Sequence, residues 1–301
     1  MSKQFAMLDA QAALGFVVSQ SSHIEREVMA IPYPEIRYAE MVPVDTSANP
    51  FAASVTFFTQ DAVGLAKFMN GKGDDVPLAN IMRTKFEQGI LDAGIGYEFS
   101  LTEIGQAQMM GMSLPNEGAS AARLAYEQLV DEVTLNGADG IEGLYNTTGI
   151  TSAAAGATFA AGTPAQVLAA INTALTAIMT DTNGIDMANT IVMPLAAYGA
   201  IATRQLDVTS SMTILEFVQK SNVYTARTGQ PLTIIADHRL PTKMVVYKRD
   251  PSVLKLHMPM PLRFLPPQYV NLSVRVPGMF RFAPLSIRRP KAVRYVSGVA
   301  T

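Results

Sequence analysis

Apolar residues recur along the chain in patterns that change from region to region. In "LPNEGASAARLAYEQLVDEVTLNGADG", residues 114–140, Ala121, Ala125, Leu129 and Val133 recur at every fourth position with Leu124 beside them, while Glu127, Asp131 and Glu132 take other faces. Such spacing makes one apolar stripe on an amphipathic helix. Pro115 and Asn116 supply a start and Asn136-Gly137 a stop, which predicts a helix over 116–136, about 30 Å long. A second stripe, Val167, Leu168, Ile171, Leu175 and Ile178, predicts a helix over 164–180. After it, "NTIVMP" reads as a buried strand and 195–204 as a helix. "TILEFVQKS" reads as a helix started by Ser210-Ser211, and "LTIIAD" and "KMVVYKR" as strands, the second central. Residues 150–260 thus alternate helices and strands like a compact α/β domain.

Elsewhere the period is two. "FAASVTFFTQDAV" is β-branched and aromatic, and "ANIMRTKFEQGILDAGIGYEFSL" sets Ile95, Tyr97, Phe99 and Leu101 against Gly96, Glu98 and Ser100. Together they predict a long β-hairpin with "FMNGKGDDVPLAN" at its tip. A lone hairpin is marginally stable in water, so this one needs a surface to lie on. Residues 1–50 hold a short helical pattern, Leu8 to Val18, followed by prolines at 32, 34, 43 and 50. Proline restricts itself and its predecessor, which predicts an extended arm without a core of its own. At the other end, "QYVNLSVRVPGMFRFAPLSIRRPKAVRYVSGV" alternates between breaks at Pro277-Gly278 and Arg289-Pro290, predicting an antiparallel meander.

Composition adds the reason for these incomplete parts. Of 301 residues, 49% are hydrophobic and 16% charged, where an average soluble domain carries about 25% charged residues. No apolar run reaches the roughly 18 residues of a membrane span. Surface hidden against other protein is the remaining explanation, and it predicts an oligomer. Cysteine is absent, which excludes disulfide scaffolds and thiolate metal sites. The start lacks the compact apolar core of a signal peptide, so synthesis in a cytoplasm is expected. A formal charge of −2 argues against a dedicated nucleic-acid binder. Basic residues nevertheless gather late, at Arg275, Arg281, Arg288, Arg289, Lys291 and Arg294. The last five are candidates for a DNA-facing or interface role, against the alternative that they face acidic neighbours.

Candidate chemistry is sparse. Gly71-Lys72-Gly73 lacks the Ser or Thr that a phosphate loop needs after its lysine. Asp74 and Asp75 are adjacent, and the twelfth residue from Asp74 is Lys85, so no calcium loop of EF-hand type is present. Solvated turn is the simpler reading, since Gly, Asn and Asp are ordinary turn residues. His23, His238 and His257 have no metal-ligand spacing. Asp237 and His238 adjoin in a predicted strand, which would point them to opposite faces. There is no G-x-S-x-G elbow, and cysteine nucleophiles are excluded. The seventeen methionines suit adaptable packing. No catalytic, cofactor or metal residue is therefore expected.

The order of parts (arm, β excursion, long helix, α/β domain, returning strands) resembles the major capsid proteins of tailed bacteriophages, with the α+β Hong Kong 97-type fold. "LDAGIGYEFSLTEIGQAQMMGMSLPNEGASAARLAYEQLVDEVTLNGADGIEGLYNTTGIT" and "VPGMFRFAPLSIRRPKAVRYVSGV" carry the resemblance. It implies an N-terminal arm over 1–50 and an extended loop over 51–104. A peripheral domain would take 105–160 and 266–301, with its spine helix at about 116–136, and an axial domain 161–265. At the loop tip, Phe68 and Met69 would make apolar contacts, and Lys72, Asp74 and Asp75 polar contacts, with a neighbouring subunit. Implied partners are further copies as hexamers and pentamers, a portal protein, a separate scaffolding protein and, in some shells, a decoration protein. Double-stranded DNA would be enclosed without sequence specificity, and no membrane is implied. The place of action would be the virion, with assembly in the host cytoplasm. Some relatives join subunits by a lysine–asparagine bond at this loop, where Lys67 and Lys72 lie, but no acid catalyst for it is identifiable here. The sequence starts directly in the arm, so a fused scaffolding segment is not expected. Two alternatives stay open: an encapsulin-type shell around cargo enzymes, and a mixed α/β enzyme using the middle domain.

Overall fold

The computed structural model describes residues 33–66, 68, 78–110, 114–207 and 211–300. The chain divides into two units, Met1–Glu35 and Ile36–Thr301. Of the first, Tyr33, Pro34 and Glu35 are described; they are exposed and outside regular structure.

The second unit opens with a one-turn helix, α1 (Tyr38–Met41), and strand β1 (Val44–Asp45). Next come the long strands β2 (Ser54–Val63) and β3 (Asn80–Gly89), then the short β4 (Leu91–Gly94) and β5 (Tyr97–Ser100). Helix α2 (Leu101–Met110) precedes the long helix α3 (Leu114–Leu135). After a turn-rich loop follow β6 (Thr151–Ala154), α4 (Pro164–Asp181), β7 (Thr190–Pro194) and α5 (Leu195–Thr203). Helices α6 (Ile214–Lys220) and α7 (Val223–Thr228) lead to β8 (Thr233–Asp237) and β9 (Lys243–Tyr247). The chain closes with β10 (Leu254–His257), β11 (Met260–Phe264), β12 (Gln268–Val270), β13 (Ser273–Val276), β14 (Gly278–Phe282), β15 (Ser286–Ile287) and β16 (Val293–Ser297).

A five-stranded mixed sheet, ordered β6-β16-β9-β7-β8, holds the middle of the unit, with β9 central as its sequence suggests. Its alternating residues feed two cores. Val192, Val245, Tyr247, Val293 and Tyr295 pack with Tyr126, Val130 and Val133 of α3. Ile191, Met193, Met244, Val246 and Val296 pack with Val167, Ile171, Leu175 and Ile178 of α4. Burial on both faces is why "KMVVY" reads as a continuous apolar run. Helix α4 starts where its sequence dictates: the Thr163 side chain accepts from Gln166 N, Gln166 Oε1 accepts from Thr163 N, and Pro164 fits the first turn. Helix α6 is capped by Thr213, which accepts from Glu216 N, two residues past the Ser211 that the sequence offered as its start; Ser210 lies outside the described residues.

The face that α3 turns inward differs from the predicted stripe. Ala122, Tyr126, Val130, Asp131, Val133 and Thr134 are buried. Ala121 and Leu129 are exposed, and Leu124 and Ala125 are half-buried. Of the predicted five, Val133 alone lies in the core. Alanines at 121, 122 and 125 carry little information about direction, and the large Tyr126 fixes the rotation instead. Asp131, expected on an outer face, is fully buried because it has partners there. Near the start of α3, a Cβ on Gly118 would sit 2.7 Å from Phe99 and 2.9 Å from Tyr97, so β5 lies almost on the helix backbone.

Strand pairing also departs from expectation. Among the described residues β2 pairs with β3 alone; β4 joins β14, and β5 joins β13. Ile95 to Ser100 therefore belong beside the C-terminal strands and not in the hairpin, and Leu101 begins a helix. Instead of a meander, the closing strands spread over four sheets, with β16 entering the central one between β6 and β9. The crossing is made by two glycines. A Cβ on Gly96 would meet Val276 O at 2.6 Å, and one on Gly278 would meet Ile95 O at 2.5 Å, an approach open only to bare backbone. Residues 36–45, read from the sequence as arm, are built into the core. Met41 and Val42 are fully buried, and β1 pairs in parallel with β10.

Candidate assembly surfaces

The β2–β3 ribbon is the feature least supported by its own chain. It runs through ten residue pairs, from Ser54↔Gly89 to Val63↔Asn80, or about 33 Å. No third strand joins it among the described residues. Pairing puts Val55, Phe57, Thr59, Asp61 and Val63 on one face with Gln88, Phe86, Thr84, Met82 and Asn80. The other face carries Ser54, Thr56, Phe58, Gln60 and Ala62 with Gly89, Glu87, Lys85, Arg83 and Ile81. Inside the ribbon, Phe57 and Phe86 stack with centroids 5.3 Å apart, and Glu87 accepts from Ser54 Oγ at 2.7 Å and Lys85 Nζ at 2.8 Å. Its base is tied to the body where the Arg288 guanidinium lies 4.8 Å over the Phe57 ring and Gln88 Nε2 donates to Pro284 O at 2.9 Å. Farther out, Phe58 is 67% exposed, and Ile81, Met82, Leu65 and Leu78 also face solvent. Large apolar side chains left exposed on both faces of an unsupported ribbon form the kind of surface that contact with other protein covers. Phe68 is fully exposed; Met69, Lys72, Asp74 and Asp75, like Lys67, lie outside the described residues.

The late basic residues are mostly committed within the chain. Arg281 pairs with Asp92 and donates to Pro50 O at 2.7 Å. Arg289 reaches Asp186 at 3.1 Å and Arg294 reaches Asp181 at 2.9 Å. Arg288 is taken up by Phe57 and by His257, whose Nε2 is 3.4 Å away. Lys291 is exposed beside Arg289. Acidic neighbours thus occupy three of the five, which weakens the DNA-facing expectation for Arg281, Arg289 and Arg294.

A buried polar cluster joins α1, α3 and the central sheet. Asp131 accepts the N–H groups of Arg37 at 3.0 Å and Tyr38 at 2.8 Å, so it caps the short helix α1 from a distant part of the sequence. It also pairs with Arg239. Asp237 takes hydrogen bonds from Tyr145 and, at 3.1 Å, from Arg239 N. Burial pushes the Tyr145 hydroxyl far above its ordinary pKa, and the Asp237 charge adds to this. Burial also raises Asp131, opposed by the N–H donors and by Arg239. Asp237 and His238 do touch, with Nδ1 3.2 Å from Oδ1. The strand ends at Asp237, and His238 turns back from the following turn. Both Asp237 oxygens are held by structural donors, Oδ2 by Tyr145 and Oδ1 by Arg239 N. The sequence signal for this cluster was faint: Asp131 read as an outer-face acid of the long helix, and the cluster's other acid stood in "ADHR" at a strand end.

Among the described residues no group of acids and histidines is placed to hold a metal ion, and no helix is long and apolar enough to cross a membrane.

Comparison with known proteins agrees with this picture of a chain made for contact. The structure resembles "The capsid of Myoviridae Phage XM1" with a TM-score of 0.81 at 18% identity, covering 93% of this chain and 97% of that one. It resembles a structure described as "Mycobacterium phage Ogopogo" with a TM-score of 0.62 at 11% identity, covering 94% and 98%. A virus-like particle from Pyrococcus furiosus matches with a TM-score of 0.54 at 12% identity, covering 86% and 91%. No curated protein matches the sequence significantly. A family model described as "Major capsid protein" matches residues 64–299. This chain belongs to the major capsid protein family: it has the Hong Kong 97-like fold, is a structural and not a catalytic protein, and acts with copies of itself as the shell of a virion.

Proposed function

We propose that copies of this chain, arranged as hexamers and pentamers, close into the icosahedral head of a tailed bacteriophage around double-stranded DNA. The observation that carries this reading is the β2–β3 ribbon, whose exposed Phe58, Ile81 and Met82 need cover that one chain does not supply. Under this reading the ribbon is the extended loop, set within 51–104, and α3 is the spine helix of a peripheral domain over 105–160 and 266–301. Residues 161–265 form the axial domain, and the arm over 1–50 has its last part, 36–45, anchored in the body. Leu129 and Ala121, exposed on α3, then face a neighbouring copy, as does the loop tip with Phe68, Met69, Lys72, Asp74 and Asp75. Closed symmetry would cover every ribbon in the same way. Assembly takes place in the host cytoplasm with a separate scaffolding protein and a portal, and a decoration protein is compatible with the outer surface. The family model described as "Major capsid protein" supports the head reading, and the contents of particles from infected cells separate it from a cargo shell.

The test is electron microscopy of expressed chain and of particles from infected cells. Closed shells, with nuclease-protected DNA in the infected-cell particles, are expected. Phe58→Asp with Ile81→Asp should leave circular dichroism unchanged and abolish shells. Normal shells from that double variant would overturn the role given to the ribbon, and particles loaded with enzyme cargo would overturn the genome.

A further inference from the structure

The base of the ribbon rests on two buried groups with unmet hydrogen-bonding needs. His257, at the end of β10, is 5% exposed, and its Nδ1 is buried without a hydrogen-bond partner. The Asp45 carboxylate on β1 is 3.6 Å from that nitrogen, too far for a hydrogen bond. On the other side of the ring, His257 Nε2 lies 3.4 Å from Arg288 Nη2. A guanidinium only donates. The Nε2 lone pair must therefore face Arg288, which places the imidazole proton on Nδ1. Arg288 Nε is likewise buried and unpartnered, and the same guanidinium covers the Phe57 ring of the ribbon at 4.8 Å. Neutral His257, Arg288, Phe57 and Phe86 thus form one continuous stack from the body into the ribbon.

We propose that His257 is a protonation latch for the ribbon: a proton taken from solvent onto Nε2 displaces Arg288 from Phe57 and loosens the ribbon base. With that proton in place, Nε2–H would point at a cation that has no acceptor to offer. Lys255, on β10, adds a second positive charge to the site. Among the described residues Asp45 is the anion facing the ring, and it is already engaged by Lys255 at 2.8 Å and by Ser47 N and Oγ at 2.9 and 2.6 Å. Arg288 is the member free to leave, because its own Nε has nothing to lose inside.

The direction with pH follows from the same contacts. Burial is the largest influence on His257 and disfavours its charged form; Asp45 opposes this, and Lys255 and Arg288 reinforce it. In the latched arrangement its pKa is therefore below 6.5, while in a released arrangement it returns toward that ordinary value. The released state binds more protons, so acidification below 6.5 favours release. These contacts lie within one chain, so failure of the latch would leave the shell reading untouched.

The chain has no cysteine, so Thr84→Cys on the ribbon with Gln230→Cys on the body accepts two spin labels and no others. Electron–electron distance distributions on the full chain, diluted with unlabelled chain, are measured at pH 8 and in steps down to pH 4.5. The expected result is one narrow distribution at pH 8 that shifts and broadens with a midpoint below 6.5. In His257→Gln the narrow distribution should persist at every pH, and in Arg288→Gln a broad one should be present already at pH 8. His257→Asn serves in place of the glutamine variant if that one is unfolded by circular dichroism. An unchanged distribution in the parent down to pH 4.5, or the same pH response in the His257 variant, overturns the latch.

Discussion

Replacing Asp131 tests whether the buried cluster, and not apolar contact alone, locks α3 to the central sheet. The carboxylate is fully buried and serves the N–H groups of Arg37 and Tyr38 as well as the Arg239 guanidinium. Asp131→Ala leaves Arg239, whose side chain is 11% exposed, without this partner. Breaking a buried ion pair from one side costs about 3–5 kcal/mol. Two N–H groups are stranded as well, at about 1–3 kcal/mol each if water does not reach them. Asp237, 3.5 Å from Arg239 Nη1, recovers part of the charge interaction, so we expect a net loss of about 4 kcal/mol. Asp131→Asn keeps one acceptor oxygen for the backbone and loses the charge, for about 2 kcal/mol. Urea unfolding of unassembled chain, followed by circular dichroism at pH 7.5, reads both. Arg239→Met placed on Asp131→Ala should regain part of the loss, because it removes a charge left with only the longer contacts to Asp237 at 3.5 Å and Glu132 at 3.6 Å. A loss below about 1 kcal/mol for Asp131→Ala, or further destabilisation by Arg239→Met, would refute the assignment.

Four further outcomes follow from the same contacts. Gly96→Ala forces a Cβ to within 2.6 Å of Val276 O; it should destabilise the chain by about 2–4 kcal/mol in the same urea assay, through overpacking and backbone strain. Ile178→Ala, fully buried on the inner face of α4, should cost about 2–5 kcal/mol. Leu129→Asp, at a 43% exposed residue on the outer face of α3, should change unfolding by no more than about 0.5 kcal/mol and yet reduce shell yield on sizing columns. Asp45 is held well below the usual carboxylate range, chiefly by its hydrogen bond from Lys255 and then by Ser47. A lowered folded pKa gives stability that is complete above the ordinary 3.8 and is lost as pH falls beneath it. Asp45→Asn should therefore lower stability at pH 7 and flatten its decline below pH 3.8, measured by urea midpoints across pH.

What the sequence made legible was whatever local pattern alone decides. The stripe Val167, Leu168, Ile171, Leu175 and Ile178 placed α4 closely, and the Thr163–Gln166 box that starts it came from the structure. The Asn136-Gly137 stop ended α3 because Gly137 takes a left-handed φ of 78°. Pairing between distant strands left no such trace. Nothing local announces that Tyr97–Ser100 pairs with β13, since either partner would accept the same alternation. The rotation of α3 was lost for a related reason: alanines fit either face, and the decisive contacts of Asp131 come from Arg37, Tyr38 and Arg239, far away in sequence.

The exposed apolar residues divide on the same principle, and this bears on how an incomplete chain is to be read. Phe57 and Phe58 are neighbours in one strand with the same chemistry. Phe57 has Phe86 beside it and Arg288 above it, whereas Phe58 stands opposite Lys85 and is largely exposed. At about 25 cal/mol per Å², covering a side chain of this size contributes on the order of 2 kcal/mol, more than a marginal ribbon can forgo at several positions. Adding Ile81 and Met82 makes the deficit a property of the ribbon and not of one residue. A chain with only 16% charged residues leaves that deficit open throughout its surface. Under the proposed reading, burial by a neighbouring copy, repeated around a closed shell, would remove it at every ribbon at once. Ribbon order and shell closure should then appear together: hydrogen exchange of Ser54–Val63 and Asn80–Gly89 should be rapid in unassembled chain and strongly slowed in shells. Equal exchange in both would mean that the exposed phenylalanine, isoleucine and methionine are not assembly contacts.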